Sequence, residues 1–148
     1  RADVNGDGWE DIYIGGAKGQ AGQLYLQTEK GFEKKEEEVF KEYAAFEDVA
    51  VLFFDADGDK DMDLYIGAGG NNMNPGSREM QHRLYKNDGK GNFTALPVMR
   101  SGFFAWGNVK DLALLHTGDG RPLIVVGNNN GPLQAFRPAA GISALSAR

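Results

Sequence analysis

Five aspartates occupy alternate positions of one short stretch, Asp55–Ala56–Asp57–Gly58–Asp59–Lys60–Asp61–Met62–Asp63. Carboxylates about 5–6 Å apart repel by roughly 3 kcal/mol per pair at an effective dielectric near 20. A hard divalent cation removes that cost, and calcium takes oxygens from alternate residues of a tight loop. The expected chemistry is calcium binding. Asp55, Asp57, Asp59 and Asp63 would supply side-chain oxygens, and Asp61 its backbone carbonyl.

The stretch is repeated. Asp3–Val4–Asn5–Gly6–Asp7–Gly8–Trp9–Glu10–Asp11–Ile12–Tyr13–Ile14–Gly15 aligns without a gap on Asp55 to Gly67, at an offset of 52. Asp3, Asn5, Asp7 and Asp11 fall on Asp55, Asp57, Asp59 and Asp63, and Trp9 takes the carbonyl-donating place of Asp61. Asp/Asn/Gly clusters also make good turns through side-chain-to-backbone bonds. Two loops in one register favour the ion over that alternative. The copies differ at Gly8 and Lys60: a lysine there gives up glycine's freedom at positive φ and brings a cation to the loop, with Asp61 beside it as compensation. A helix–loop–helix calcium hand needs a bidentate Glu at the twelfth position. That place holds Ile14 and Ile66 inside strand-like runs, which excludes that motif and the related dockerin loop.

The elements that must position these loops read as short strands. Val49 to Phe54 is apolar throughout, the pattern of a strand covered on both faces. Leu64–Tyr65–Ile66 follows the second loop, and Leu84–Tyr85 and Asn87–Asp88–Gly89–Lys90–Gly91–Asn92–Phe93 supply a third strand and a turn. The first copy has the same order through Leu24–Tyr25 and Thr28 to Phe32 but lacks an opening strand. A decayed third copy runs from Val109–Leu115 through a turn with one carboxylate, Asp119, to Leu123–Gly127 and Leu133–Phe136. Four antiparallel strands repeated at about 40–60 residues are the signature of β-propeller blades. The expected fold is all-β, a partial propeller of about two and a half to three four-stranded blades. Residues 1–47 form a blade without its first strand plus a connector, 48–98 a complete blade, 99–137 a degenerate blade, and 138–148 a tail. Because the chain opens at Arg1–Ala2 directly on a loop, an upstream segment is expected. The open edges invite the remaining blades or another copy.

Two segments depart from the strand scheme. Glu33 to Phe46 reads as a solvated connector with one or two helical turns, pinned by Phe40 and Tyr43. The loop from Asn71 to His82 carries an insertion of eight residues relative to the first copy, and long loops on rigid scaffolds are frequent contact sites for a protein or a glycan.

Composition narrows the function classes. The 148 residues are 41% hydrophobic and 25% charged, as in an ordinary globular domain, with 21 glycines for many turns. A net charge of −5 and the lack of a basic stripe argue against nucleic acid. No apolar run approaches the 18 residues of a membrane span. Without cysteine there is no disulfide, zinc-thiolate site or catalytic thiol. His82 and His116 lack a serine or carboxylate constellation, so catalysis is not expected. Trp9 and Trp106 read as packing residues.

The two loops with their strands resemble FG-GAP/VCBS repeats, the blade unit of integrin α-subunit propellers and of many bacterial surface proteins. The stretch Phe53 to Ile66, then Gly69–Gly70–Asn71 and Gln81–His82–Arg83–Leu84–Tyr85 through Phe93, is similar to bacterial ASPIC/UnbV-type and cartilage-acidic-protein-type repeats. Gly127 to Arg137 resembles the closing segment of such proteins. The resemblance implies a seven-bladed propeller, calcium in the loop between first and second strands, and export. Physics agrees on place: loops without the bidentate ligand belong with the weak extracellular class, at about 10⁻⁴–10⁻³ M, so an extracellular, periplasmic or cell-surface location is expected. The leading expectation is a non-catalytic calcium-binding segment serving adhesion, scaffolding or ligand binding. The alternatives are a lectin-like module and a fragment of a propeller polysaccharide-degrading enzyme.

Overall fold

The computed structural model describes residues 1–70 and 81–137. The tail 138–148 and most of the Asn71–His82 loop lie outside the described residues. Three antiparallel sheets follow one another along the chain. The first holds β1 (Ile12–Ile14), β2 (Gln23–Thr28) and β3 (Gly31–Lys35). A short helix, α1 (Glu38–Lys41), leads to the second sheet, β4 (Asp48–Phe54), β5 (Asp63–Ala68), β6 (Arg83–Asn87) and β7 (Phe93–Leu96). After α2 (Val98–Ser101) come β8 (Val109–His116), β9 (Pro122–Asn128) and β10 (Gln134–Phe136). In each sheet the strands lie side by side in chain order. Ahead of β1, Ala2 forms a single bridge with Asp11, with backbone bonds of 3.1 and 2.8 Å.

Side-chain alternation along β5 explains the stacking. Leu64 and Ile66 point to one face and join Val4, Tyr13, Leu24, Phe40, Tyr85 and Phe93 in a core shared with the first sheet. Tyr65 points the other way, into a core with Phe54, Leu84, Val109, Ile124 and Val126 shared with the third. Every residue of β5 is buried, and each such Leu or Ile contributes about 1.5–3 kcal/mol by leaving water. The second sheet is thus sandwiched between the other two.

Three expectations need correction. The best-covered strand is β5; β4, apolar from Val49 onward, is buried only at Phe54 and half-buried elsewhere, because it is an edge strand of its sheet. The charged run after Phe32 is not all connector. Glu33, Lys34 and Lys35 complete β3, paired with Leu26, Tyr25 and Leu24, and an outer strand exposed along most of its length tolerates charges that keep its edge soluble. Nor is the rest of the connector merely solvated. Phe40 is buried and meets Tyr13 and Tyr85 edge-on at 5.0 and 5.2 Å, so α1 acts as a plug between the first two sheets.

A buried ion pair also ties these sheets. Arg83 on β6 pairs with Asp48 at the start of β4. The Asp48 carboxylate accepts from the Tyr13 hydroxyl at 3.1 Å and the Gly16 amide at 2.9 Å. The guanidinium lies over the rings of Phe46 and Tyr43, at 4.8 and 5.5 Å. Such a pair adds little net stability but costs about 3–5 kcal/mol if one partner is removed.

Candidate cation-binding loops

Loop 1, residues 3–11, leads into β1 through a chain of side-chain acceptors. Asp3 Oδ1 accepts from the amides of Gly6 and Asp7 at 2.7 and 3.2 Å, and its Oδ2 from Gly8 at 2.8 Å. Asn5 Oδ1 takes the Asp7 amide at 3.1 Å, and Asp7 Oδ1 the Trp9 amide at 2.8 Å. Acceptors on alternate residues therefore satisfy the turn's own backbone, as short polar side chains do. Asp11 is different. It is fully buried, and its two oxygens take the amides of Val4 and, across the sheet, Gln27, both at 2.9 Å. It braces the loop to the third strand position.

Loop 2, residues 55–63, repeats this design between β4 and β5. Asp55 accepts from Gly58 at 2.6 Å and Lys60 at 3.1 Å, Asp57 from Asp59 at 3.3 Å, and Asp59 from Asp61 at 3.0 Å. Asp63, 1% exposed, takes the amides of Ala56 at 2.9 Å and Asn87 at 2.8 Å. Burial holds its carboxyl up to about 6, against the pull of those two amides. Lys60 adopts φ 76° where Gly8 has φ 89°, so the lysine does occupy the left-handed region.

Carboxylate oxygens of Asp55, Asp57 and Asp63 converge within 4.8 Å of one another, and no other group of three or more His, Cys, Asp or Glu does so among the described residues. Oxygens on opposite sides of a calcium ion with bonds of about 2.4 Å lie about 4.8 Å apart. The all-oxygen, all-carboxylate set suits a hard cation, and each oxygen keeps a lone pair beyond the one its amide uses. Asp59 and Asp61 stand outside that group. Against the cost of desolvation, the Asp61 amide and the Lys86 ammonium hold Asp59 below the usual carboxylate range. Partial burial, then the charge of Asp59, pushes Asp61 up. In loop 1, Asp3, Asp7 and Asp11 do not form such a group, and Trp9 is 37% exposed rather than packed.

Two residues at these loops were not singled out from sequence. Lys86 on β6 bonds Asp57 and lies 3.0 Å from Asp59 Oδ2. Asn87, 1% exposed, donates from Nδ2 to the carbonyls of Val4 at 2.7 Å and Met62 at 3.2 Å, while its Oδ1 accepts from Gly91 at 3.1 Å. One amide thus joins both loops to the β6–β7 turn. The available signal was the repeat itself, which sets Lys86 opposite Leu26 and Asn87 opposite Gln27.

The remaining candidates are scattered. His82, at the end of the inserted loop, is 5% exposed, so it is no contact residue; its Nδ1 bonds the Tyr65 hydroxyl. Burial pushes its imidazole down to about 4. His116 ends β8 near an exposed turn in which Asp119 pairs with Arg121 at 2.8 Å. Trp106 is 63% exposed and Phe104 56% exposed, while Ala105 between them is buried. Ala105, not Trp106, anchors that segment. Loop 2 enters β5 at Asp63, and the chain leaves that strand at Ala68.

No helix among the described residues is long and apolar enough to cross a membrane. No curated protein and no solved structure matches the chain. A family model does: the one described as an FG-GAP-like repeat matches residues 3–66, from Asp3 at the start of loop 1 through loop 2 and into β5. The segment that carries both acidic loops is thus similar to an FG-GAP-like repeat.

Proposed function

We infer that this chain is a calcium-binding, non-catalytic part of a β-propeller in an exported or cell-surface protein. The convergence of Asp55, Asp57 and Asp63 at one hairpin tip carries this reading. Loop 1 offers the same ligand types at the same spacing. The ions would be structural, closing the tips of hairpins whose sheets stack face to face in chain order. That stacking supports blades of a propeller, and the segment from Gln81 to Phe93 supports the ASPIC/UnbV-type relationship within it. An FG-GAP-like repeat fits a location outside the cytoplasm, where calcium near 10⁻⁴–10⁻³ M is available to weak loops.

Calorimetric titration with calcium tests the reading, together with melting curves in calcium and in chelator. Uptake near millimolar calcium and a higher Tm support it. Identical melting curves and no heat of binding at 10⁻² M calcium, on the order of ten times the expected dissociation constant, overturn it. Replacing Asp57 and Asp7 with Ala, one at a time, should each remove one site.

A carbohydrate-binding module is the second reading. The exposed indole of Trp106 favours it, since an indole pairs a broad apolar face with one N–H donor. A glycan array on wild type and Trp106→Ala separates the two.

A further inference from the structure

The two acidic loops share their ligand pattern but not the residue that faces them. Asp11 and Asp63 fix the correspondence, since each binds the amide at the start of its own loop and one amide on the third strand position, Gln27 or Asn87. The residue just before that amide is therefore equivalent in the two hairpins. In the first it is Leu26, which packs against the core between the first and second sheets. In the second it is Lys86, whose Nζ bonds Asp57 Oδ2 and lies 3.0 Å from Asp59 Oδ2. Loop 1 has three aspartates, Asp3, Asp7 and Asp11, and no lysine; loop 2 has five, with Lys60 inside it and Lys86 across from it.

An ammonium carries one positive charge and three donors, so it can hold two carboxylates at once. It is anchored to β6 and so stands at the loop whatever the calcium concentration, as a tethered competitor. Asp57 is the shared element, since it belongs to the converging triad and also binds Lys86. A divalent ion on that triad and an ammonium on the same carboxylate would repel at a few ångströms.

We propose that Lys86 is a tethered counter-cation of the second loop: this hairpin closes without a metal ion and takes calcium only by displacing the ammonium, whereas the first loop has no lysine to displace. The inference rests on the reading of both loops as calcium sites. It makes the two loops unequal in a defined order, loop 1 filling first. It also makes loop 2 the one whose closure survives low calcium.

The test compares wild type, Lys86→Met and Lys86→Arg by calorimetric calcium titration and by melting in chelator. Lys86 is 41% exposed in its side chain, so the substitutions leave the core intact. Wild type should show two unequal sites. In K86M the weaker site should tighten at least about tenfold, and Tm in chelator should fall and recover on adding calcium. K86R should behave as wild type. Two equal sites in wild type, unchanged in K86M, overturn the proposal while leaving calcium binding intact. No calcium uptake by any variant, with K86M melting lower in chelator, overturns the calcium reading and with it the displacement step.

Discussion

The two hairpin tips, residues 3–11 and 55–63, differ in instructive ways. Both carry a buried aspartate at the ninth position that accepts one amide from its own loop and one from a strand away. Both satisfy the turn with acceptors on alternate residues. They part company where charge must be balanced: the aspartates of loop 2 meet Lys86, whereas among the described residues Asp3, Asp7 and Asp11 of loop 1 meet no lysine or arginine, and its one ion pair is the exposed Arg1–Glu10 at 2.6 Å. The surroundings differ too. Loop 1 leans on the β6–β7 turn of the next sheet through Asn87, while the sheet behind loop 2 is covered on both faces. What is duplicated is the way buried backbone amides find partners; what has diverged is the balance of charge around the open tip.

The strongest way to break the comparison is at the duplicated part. Asp11→Ala leaves the amides of Val4 and Gln27 without their acceptor, and Asp63→Ala does the same to Ala56 and Asn87. A buried donor without a partner costs about 1–3 kcal/mol, so each variant, with two such donors, should lose about 2–6 kcal/mol in urea unfolding. The loss should persist in chelator, because the amides are there with or without an ion. A loss confined to calcium-loaded protein would mean that these aspartates are ligands first and braces second.

A somewhat smaller effect belongs to the face of the second sheet turned toward the third, at the end of β5 away from loop 2. His82 sits there between Tyr65 and Arg83, its imidazole pushed down to about 4 by burial, with the neighbouring Arg83 charge adding to the shift against the Gly107 backbone. The unfolded state takes up a proton near pH 6.5 and the native state only near 4, so stability falls as pH drops through that window and is flat above it. The loss amounts to about 3 kcal/mol. Asp63, held up to about 6, has the opposite slope over roughly pH 4–6, because the native state then holds its proton longer than the unfolded one. The difference between wild type and His82→Gln, in chelator, isolates the histidine. Parallel pH profiles would show that His82 is not held neutral.

How much of this was legible beforehand depended on the range of the interaction. Local pattern was enough for the strands Leu64–Tyr65–Ile66 and Val109–Leu115, and for the left-handed backbone at Lys60, because gapless repetition against Gly8 exposes it. Which of the alternate aspartates converge was not legible: Asp55, Asp57 and Asp63 come together while Asp59 and Asp61, on the same spacing, stand outside. The buried pair Arg83–Asp48 was not legible, since its members are 35 positions apart and meet only once β4 and β6 flank β5. The exposure of Trp106 was hidden for a related reason: burial of an aromatic in a connecting segment depends on which neighbour, here Ala105, faces the core. Lys86 was within reach, but only by carrying the repeat alignment past the insertion and asking why a lysine replaces a leucine.

Asn87 lets the coupling between the two tips be measured. Its side-chain amide binds the carbonyls of Val4 and Met62 and accepts from Gly91. Asn87→Ala should cost about 1–3 kcal/mol through these orphaned groups. If the tips are coupled through this amide, the variant should also shift the calcium affinity of both loops relative to wild type, seen as two changed dissociation constants in the titration. A titration unchanged from wild type would make Asn87 a local brace only.

The smallest effect sharpens the comparison at the point where the loops differ by one backbone. Lys60 at φ 76° and Gly8 at φ 89° occupy the same turn position. A side chain in the left-handed region costs about 1–2 kcal/mol, while glycine gives back roughly 0.5–1 kcal/mol through the greater freedom of the unfolded chain. Lys60→Gly should therefore stabilise the protein by no more than about 1 kcal/mol, and Gly8→Lys should destabilise it by a similar amount. Space does not enter, since no atom lies within 4 Å of a Cβ built at Gly8. Charge does: Lys60→Gly removes a cation from loop 2, and Gly8→Lys adds one to loop 1. Repeating both unfolding experiments at high salt screens that term. A Lys60→Gly gain that survives high salt belongs to the backbone; one that appears only at high salt shows that the Lys60 charge had been offsetting the strain of its own φ.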